Sequence, residues 1–279
     1  MTFTTRFAPS PTGPLHLGHA YSALLAHDMA QARNGMFLLR IEDTDIDRAR
    51  PEWEAQILDD LHWLGLSWPQ PVLRQSDHLQ RYNAALTQLA ERGLVFPCSC
   101  SRGDIRAALS APQEGAPLPP AYPGTCRNRP MSTRKPGDAL RLNLDAALAG
   151  IAMPLSYRET GTRSPGLRRI TAAYLRATTG DAVLGRKDTQ TVSYVLASVL
   201  DDAAQGITHV VRGADLIEIT ALQVLLQHLM GLPTPLYHHH RLIRDDQGKR
   251  LAKRDDARAI ATYRAQGHSP ADIRRMLGL

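Results

Sequence analysis

Arg6-Phe7-Ala8-Pro9-Ser10-Pro11-Thr12-Gly13-Pro14-Leu15-His16-Leu17-Gly18-His19 reads as a strand that turns through prolines and glycines into a helix, with two histidines at the join. A helix start presents backbone N–H groups and a partial positive charge. Gly13 and Gly18 leave room for a phosphate to approach the backbone, and His16 and His19 can donate hydrogen bonds to it. The stretch therefore outlines a nucleotide-phosphate site, although in isolation it reads equally as Pro/Gly punctuation before an ordinary helix.

Working outward, residues 3–8 form a strand and residues 18–34 carry Leu17, Tyr21, Leu24, Leu25 and Met29 at helical spacing, with Gly35 as the expected C-cap. A short buried strand follows over 36–41. Pro51 with Glu52 and Glu54 starts a helix whose apolar face is Trp53, Ile57, Leu61 and Leu64, and a further helix is expected from Asp77 as N-cap to Gly93. Strands alternating with helices predict an α/β chain with a Rossmann-type doubly wound parallel sheet. The alternation breaks where prolines cluster (Pro112, Pro117, Pro119, Pro120, Pro123) and resumes with a strand over 182–184, a helix over 192–204, a strand over 207–211 and a helix over 217–230. The expected organisation is a first half of the core over 1–95, an insertion over 96–179, a second half over 180–235, and a charged loop with a small helical segment over 236–279.

The 279 residues, 43% hydrophobic and 22% charged, suffice for a sizeable core. No run approaches a membrane span and no signal peptide opens the chain, so a cytoplasmic protein without membrane contact is expected. A net charge of +6 and a pI near 9.5 favour a polyanionic partner such as RNA. Three cysteines cannot make a complete disulfide framework, and their clustering points to metal.

Three further groups carry chemistry. Arg40-Ile41-Glu42-Asp43-Thr44-Asp45 is an acidic loop at a strand end, where doubly wound sheets face their ligands, and Glu42 can meet an ammonium group. Taken by itself it is also a solvated turn. Lys249-Arg250-Leu251-Ala252-Lys253-Arg254-Asp255 offers fixed cations for a triphosphate. Tyr194 and Arg212 offer a phenol and a planar fork suited to a carboxylate, although each alone reads as packing or surface charge. Cys98, Cys100 and Cys126 supply three ligands of a tetrahedral site; by residue type the fourth is Tyr122, Asp104, Glu114, water or something distant. His238-His239-His240 reads as strand or surface histidines, with His239 facing away from the other two.

The order of these blocks resembles the class I aminoacyl-tRNA synthetases in their glutamyl/glutaminyl form, with a HIGH-like stretch at His16–His19 and a KMSKS-like stretch at Arg250–Lys253 that departs from the pattern at its first Lys and at its Ser. The resemblance covers about residues 6–256. It implies ATP with Mg2+ at His16, Gly18, His19 and Lys253, and catalytic roles for His16, His19 and Lys253. It also implies an L-glutamate pocket made by Arg6, Phe7, Ala8, Pro9, Ser10, Glu42, Tyr194 and Arg212. Small bacterial glutamyl-queuosine tRNA(Asp) synthetases carry a Cys-x-Cys and Tyr-x3-Cys zinc site in this insertion, and Cys98, Cys100, Tyr122 and Cys126 match it. The resemblance to that family implies one structural zinc, glutamate activation and transfer to queuosine in the anticodon of tRNA(Asp). The chain ends about 25 residues after Lys253, which leads us to expect no anticodon-binding domain. A monomer is expected. The competing expectations are an abbreviated synthetase charging a tRNA 3′ end, a non-catalytic RNA-binding paralogue and a generic nucleotidylyltransferase.

Overall fold

The computed structural model describes residues 2–101, 103–105, 122–161, 165–187, 191–243 and 258–279. Strand β1 (Thr4–Phe7) is buried along its whole length and pairs in parallel with β2 (Met36–Ile41), which pairs in parallel with β3 (Leu73–Arg74). Parallel strands need long crossovers, supplied by α1 (Leu17–Gln31) and α2 (Pro51–Trp63). The buried face of α1 is mostly small, with Ala20, Ala23, Ala26 and Ala30 beside Tyr21 and Leu24, so the helix lies close against β1 and β2. Helix α2 starts as expected, with Pro51 in its first turn and Glu52 and Glu54 at its positive end, while Ile57 and Leu61 are buried. Gly35 helps to close α1, as expected, through its N–H, which donates to the Ala30 carbonyl at 2.8 Å. Asn34 takes the left-handed conformation (φ 49°), and a Cβ at Gly35 would stand 2.2 Å from the Phe3 carbonyl oxygen. The left-handed cap position is thus Asn34, and the missing side chain of Gly35 serves close packing.

A 3₁₀ turn (Gln75–His78) containing Asp77 precedes α3 (Leu79–Glu91), so the α-helix itself starts two residues after the expected cap. Then come β4 (Val95–Cys98), β5 (Ala139–Leu142), α4 (Leu144–Ala149), β6 (Leu155–Glu159), β7 (Gly166–Ile170), α5 (Ala172–Thr178) and β8 (Val183–Gly185). β4, β5 and β8 form an antiparallel sheet, whereas β6 carries β7 as a hairpin and lies parallel to β10 (Leu236–His240) at the Tyr237–Glu159 pair. The strand expected over 182–184 exists, but it completes the small antiparallel sheet and not the parallel one.

Helix α6 (Tyr194–Ala204), β9 (His209–Gly213), α7 (Ile217–Leu229) and β10 restore the alternation, with β9 and β10 parallel. The Thr208 N–H donates to the Thr4 carbonyl at 3.0 Å, tying β9 to β1 and joining the two halves of a doubly wound parallel sheet. The carboxyl ends of β1, β9 and β10 open on a common crevice. Helices α8 (Ile260–Ala265) and α9 (Pro270–Leu277) close the chain, with Ile260, Ile273 and Leu277 buried in the core that surrounds α1. No described helix is long and apolar enough to cross a membrane.

Candidate active site

The crevice holds a cavity of about 360 Å³ lined by Arg6, Phe7, Ala8, His16, Gly18, His19, Tyr194 and Arg212 of the expected residues. The histidines cap α1 themselves. His16 Nδ1 accepts the N–H groups of Gly18 (3.1 Å) and His19 (3.4 Å), His19 Nδ1 accepts the His16 N–H (3.2 Å), and the two rings stack at 3.7 Å. This corrects the simplest reading of the motif, because two N–H groups expected to face phosphate are taken up inside the protein. A neutral imidazole that accepts at Nδ1 carries its hydrogen on Nε2, so the cap fixes both rings as Nε2 donors. A Cβ at Gly18 would sit 3.0 Å from the His16 ring, which explains the glycine.

Behind the cavity lies a network of buried charge. Arg40, fully buried in β2, donates to Asp202 (2.7 Å), Glu42 (3.1 Å) and Gln205 (3.0 Å), and Arg6 meets Asp202 through Nε (2.9 Å) and Nη2 (3.4 Å). Asp201 accepts from Gln75 (2.7 Å), Tyr82 (2.8 Å) and Arg81. Burial works against the charge on Arg40, but Asp202, Glu42 and Asp201 outweigh it and hold the guanidinium above its ordinary range. Burial lifts the Glu42 carboxyl despite Arg40 and Arg6, and the segments that follow β1 and β2 meet where the Glu42 N–H donates to the Pro9 carbonyl at 3.0 Å. Burial also raises the Tyr194 phenol, with the Glu42 charge adding to the effect.

Arg212 is held differently. It is 5% exposed, and its Nε donates to His239 Nε2 (3.1 Å) and its Nη2 to Thr220 (2.7 Å) and the Leu216 carbonyl (3.3 Å). Its Nη1 is buried and has no hydrogen-bond partner among the described residues. A buried guanidinium N–H without a partner beside a cavity is a place for an acceptor, and a carboxylate satisfies it best.

In the insertion, the three cysteines are free thiols whose sulfurs lie within 4.8 Å of one another. The Tyr122 hydroxyl is 3.4 Å from the sulfurs of Cys98 and Cys100 and accepts the Cys126 N–H at 2.8 Å. Burial pushes the Cys126 thiol up, yet hydrogen bonds from Tyr122 and the Ser99 backbone hold it down at about 6. Burial raises the Cys100 thiol and the Tyr122 phenol. Three thiols and a phenol converging on one point are a donor set that fits a tetrahedral ion. Asp104, another possible ligand by type, instead caps Ser101 at 2.7 Å.

Ser10 is exposed and Pro9 and Glu42 are buried, and none of the three is among the residues lining the cavity. Lys253, Arg250 and Glu114 fall outside the described residues. The segment bearing Lys253 leaves from Leu242 and Ile243 on the cavity wall and returns at Ala259, which bridges His16, while the Ile260 N–H donates to the Leu15 carbonyl at 2.8 Å. Sequence reasoning passed over Arg40, Asp201 and Asp202. Their signal was present as charges inside the apolar runs Met36–Ile41 and Tyr194–Ala204. It read the histidines of β10 as strand or surface residues: they do lie on a strand, but His239 and His240 are 2% and 5% exposed. His240 lines the cavity, bonded to Ser22 (2.6 Å) and the Arg241 carbonyl (2.8 Å), and burial holds it down at about 4.

Comparison with known proteins agrees with this geometry. The family described as tRNA synthetases class I (E and Q), catalytic domain, matches residues 2–279. The glutamyl-Q tRNA(Asp) synthetase of Rhodobacter capsulatus is 60% identical over 281 residues, covering 99% of each chain. Its counterpart in Nocardia farcinica is 43% identical, covering 98% of this chain and 82% of its own. A solved glutamate tRNA ligase from Elizabethkingia meningosepticum, in complex with its amino acid, superposes with a TM-score of 0.77 at 27% identity. That alignment takes in 99% of this chain, which spans 60% of the ligase.

Proposed function

This chain belongs to the class I glutamyl- and glutaminyl-tRNA synthetase family, as a ligase of that type, and we propose that it activates L-glutamate with ATP and transfers it to queuosine in the anticodon of tRNA(Asp). The observation that carries the glutamate half is Arg212 Nη1, which has no partner among the described residues and stands on the wall of a cavity that also presents His16 and His19. Arg212 takes a glutamate carboxylate there. Tyr194 on the wall and Glu42 behind it, with Arg40 on its Oε1, serve the ammonium end; Arg6, Phe7 and Ala8 line the cavity, and Pro9 and Ser10 continue the chain beyond them.

Activation is an attack of the glutamate α-carboxylate oxygen on the α-phosphorus of ATP; the new C–O–P bond forms as the bond to pyrophosphate breaks. No side-chain nucleophile is needed, and orientation with charge neutralisation lowers the barrier. The Nε2 hydrogens of His16 and His19, fixed by the α1 cap, stabilise the phosphate oxygens, Gly18 leaves room for them, and Lys253 adds a cation. Mg2+ enters with ATP as part of the substrate. Cys98, Cys100, Tyr122 and Cys126 would hold one structural zinc and brace the insertion.

The queuosine half rests on the glutamyl-Q tRNA(Asp) synthetase relatives and on the arginines of β6, β7 and α5 (Arg158, Arg168, Arg169, Arg176), which can follow an RNA backbone. A cytoplasmic site of action goes with it. The test is transfer of labelled glutamate to tRNA(Asp) with and without queuosine. We expect labelling of the queuosine form, also on an isolated anticodon stem-loop, as an ester released by mild alkali and prevented by periodate cleavage of the queuosine diol. Glutamate on the 3′-terminal adenosine would replace this reading with the abbreviated synthetase.

A further inference from the structure

Two arginines line the cavity, and they are anchored in opposite ways. Arg6 gives its Nε and Nη2 to the carboxylate of Asp202, which cancels its charge within the protein. Arg212 is held by neutral acceptors: an imidazole nitrogen, a hydroxyl and a backbone carbonyl. Its charge is left for a ligand. The imidazole can accept from Arg212 Nε only if its Nε2 bears no hydrogen, so His239 must be neutral with the hydrogen on Nδ1. Glu159 dictates that state. Its Oε2 lies 2.5 Å from His239 Nδ1, and its Oε1 accepts the N–H groups of His239 (3.0 Å) and Gly161 (2.7 Å).

We infer that Glu159 and His239 are positioning residues for amino-acid recognition: Glu159 selects the His239 tautomer, and that tautomer aims the Arg212 guanidinium so that Nη1 faces the cavity with its charge intact. This rests on reading the cavity as the glutamate site. The protonation states agree with the geometry. Burial lowers His239 despite Glu159; burial raises Glu159, but its hydrogen bonds from His239 and Gly161 outweigh that and hold it at about 2. Arg212 and Asp215 also act on His239, in opposite directions. Thr220 completes the cradle, since its hydroxyl donates to the Leu216 carbonyl at 3.0 Å and thereby turns a lone pair to Arg212.

Glu159 and His239 also line a separate cavity of about 490 Å³, with Tyr157, Arg168, Tyr174 and Ile217. Small molecules can therefore reach the relay without passing through the glutamate site, which makes chemical rescue the test. Glutamate-dependent ATP–pyrophosphate exchange would be measured for the full-length protein, His239→Ala and Glu159→Gln, with no addition, with imidazole and with 1-methylimidazole. Losing a hydrogen bond to a charged group should raise the KM for glutamate about tenfold or more in His239→Ala, with the KM for ATP unchanged. Imidazole should restore it. 1-Methylimidazole should not, because it has no N–H for Glu159. Glu159→Gln, nearly isosteric, should raise the glutamate KM too, since its amide can donate to Nδ1 and drive the hydrogen onto Nε2, against Arg212. An unchanged glutamate KM in Glu159→Gln, or a His239→Ala defect shared equally by ATP and deaf to imidazole, would overturn the relay. Absence of glutamate-dependent exchange in the unaltered protein would instead remove the functional reading, and the relay with it.

Discussion

The cavity and the cysteine cluster are both buried polar centres, yet one is held together by charges of the chain itself and the other is a set of converging donors that fits an ion. Around the cavity, Arg6, Arg40, Asp201 and Asp202 neutralise one another at 2.7–3.8 Å, and Arg212 is the exception with an unused N–H. In the cluster, the side chains of Cys98, Cys100, Cys126 and Tyr122 approach to 3.4–3.6 Å without a charged partner of opposite sign among the four. A preformed charge network holds its shape before ligand binds, as charge stabilisation at a reacting centre requires. Converging soft donors gain most of their cohesion from an ion.

The largest effect should come from the cluster. Structural zinc contributes on the order of 10 kcal/mol in small zinc-dependent domains, so Cys98→Ser should abolish the bound metal and melt the β4–β5 region first. Elemental analysis of the untreated protein should give about one zinc per chain, the stoichiometry of a single four-ligand site. Tyr122→Phe should lower zinc retention as well; unchanged metal content in that variant would show that the fourth ligand lies elsewhere. The comparison fails if chelation leaves the calorimetric transition where it was.

Next in size are the two charges proposed to meet the substrate, Arg212 on the cavity wall and Glu42 behind it. Arg212→Ala and Glu42→Gln should each cost about 2–5 kcal/mol in glutamate-dependent kcat/KM, because a substrate charge is left unpaired in a desolvated pocket. The KM for ATP should hardly move. Thermal stability should stay close to normal in Arg212→Ala, which removes an arginine held only by neutral acceptors. If glutamate affinity survives both changes, the pocket has been misread.

The smallest effect measures what a buried carboxylate costs when the distant charge of Arg264 does not outweigh its burial. Asp60 in α2 is 1% exposed, its Oδ2 finds no partner among the described residues, and burial with the neighbouring Asp59 charge lifts it to about 6 from an ordinary 3.8. A folded pKa above the unfolded one means that the folded state takes the proton more readily. Its contribution is therefore most favourable below pH ~4 and is lost as pH rises through ~6. Asp60→Asn should stabilise the protein by on the order of 2 kcal/mol at pH 8 and change little at pH 4, read from paired melting curves. Equal effects at the two pH values would show that Asp60 is not charged in the folded protein at pH 8.

Local pattern carried much of this site. β1, α1 and β2 follow from periodicity and turn chemistry, and Arg6, His16, His19, Tyr194 and Arg212 stand in short motifs that the sheet gathers at its carboxyl edge. What escaped was contact between distant elements. Arg40 meets Asp202 across 162 positions and His239 meets Glu159 across 80, and nothing local shows that β2 lies beside α6 or β10 beside β6. Strand alternation correctly set His239 apart from His238 and His240, but it cannot tell whether a face is covered. β10 lies between β9 and β6, so its histidines are enclosed rather than at the surface. Asp77 missed because a 3₁₀ turn took the place of a local cap, while Gly35 closes α1 through its N–H but owes its lack of a side chain to the tertiary contact with Phe3.

Gly161 shows how far a site can extend its demands into residues that hold no chemistry. A Cβ there would fall 2.4 Å from the His239 carbonyl oxygen and 2.8 Å from Glu159 Oε1. In a saturation library this position should tolerate no replacement that retains full glutamate affinity, while neighbouring Thr160, whose hydroxyl reaches only His238 and the Tyr237 carbonyl, should accept several. A glycine that looks like loop filler would thus be selected as stringently as the arginine it helps to aim.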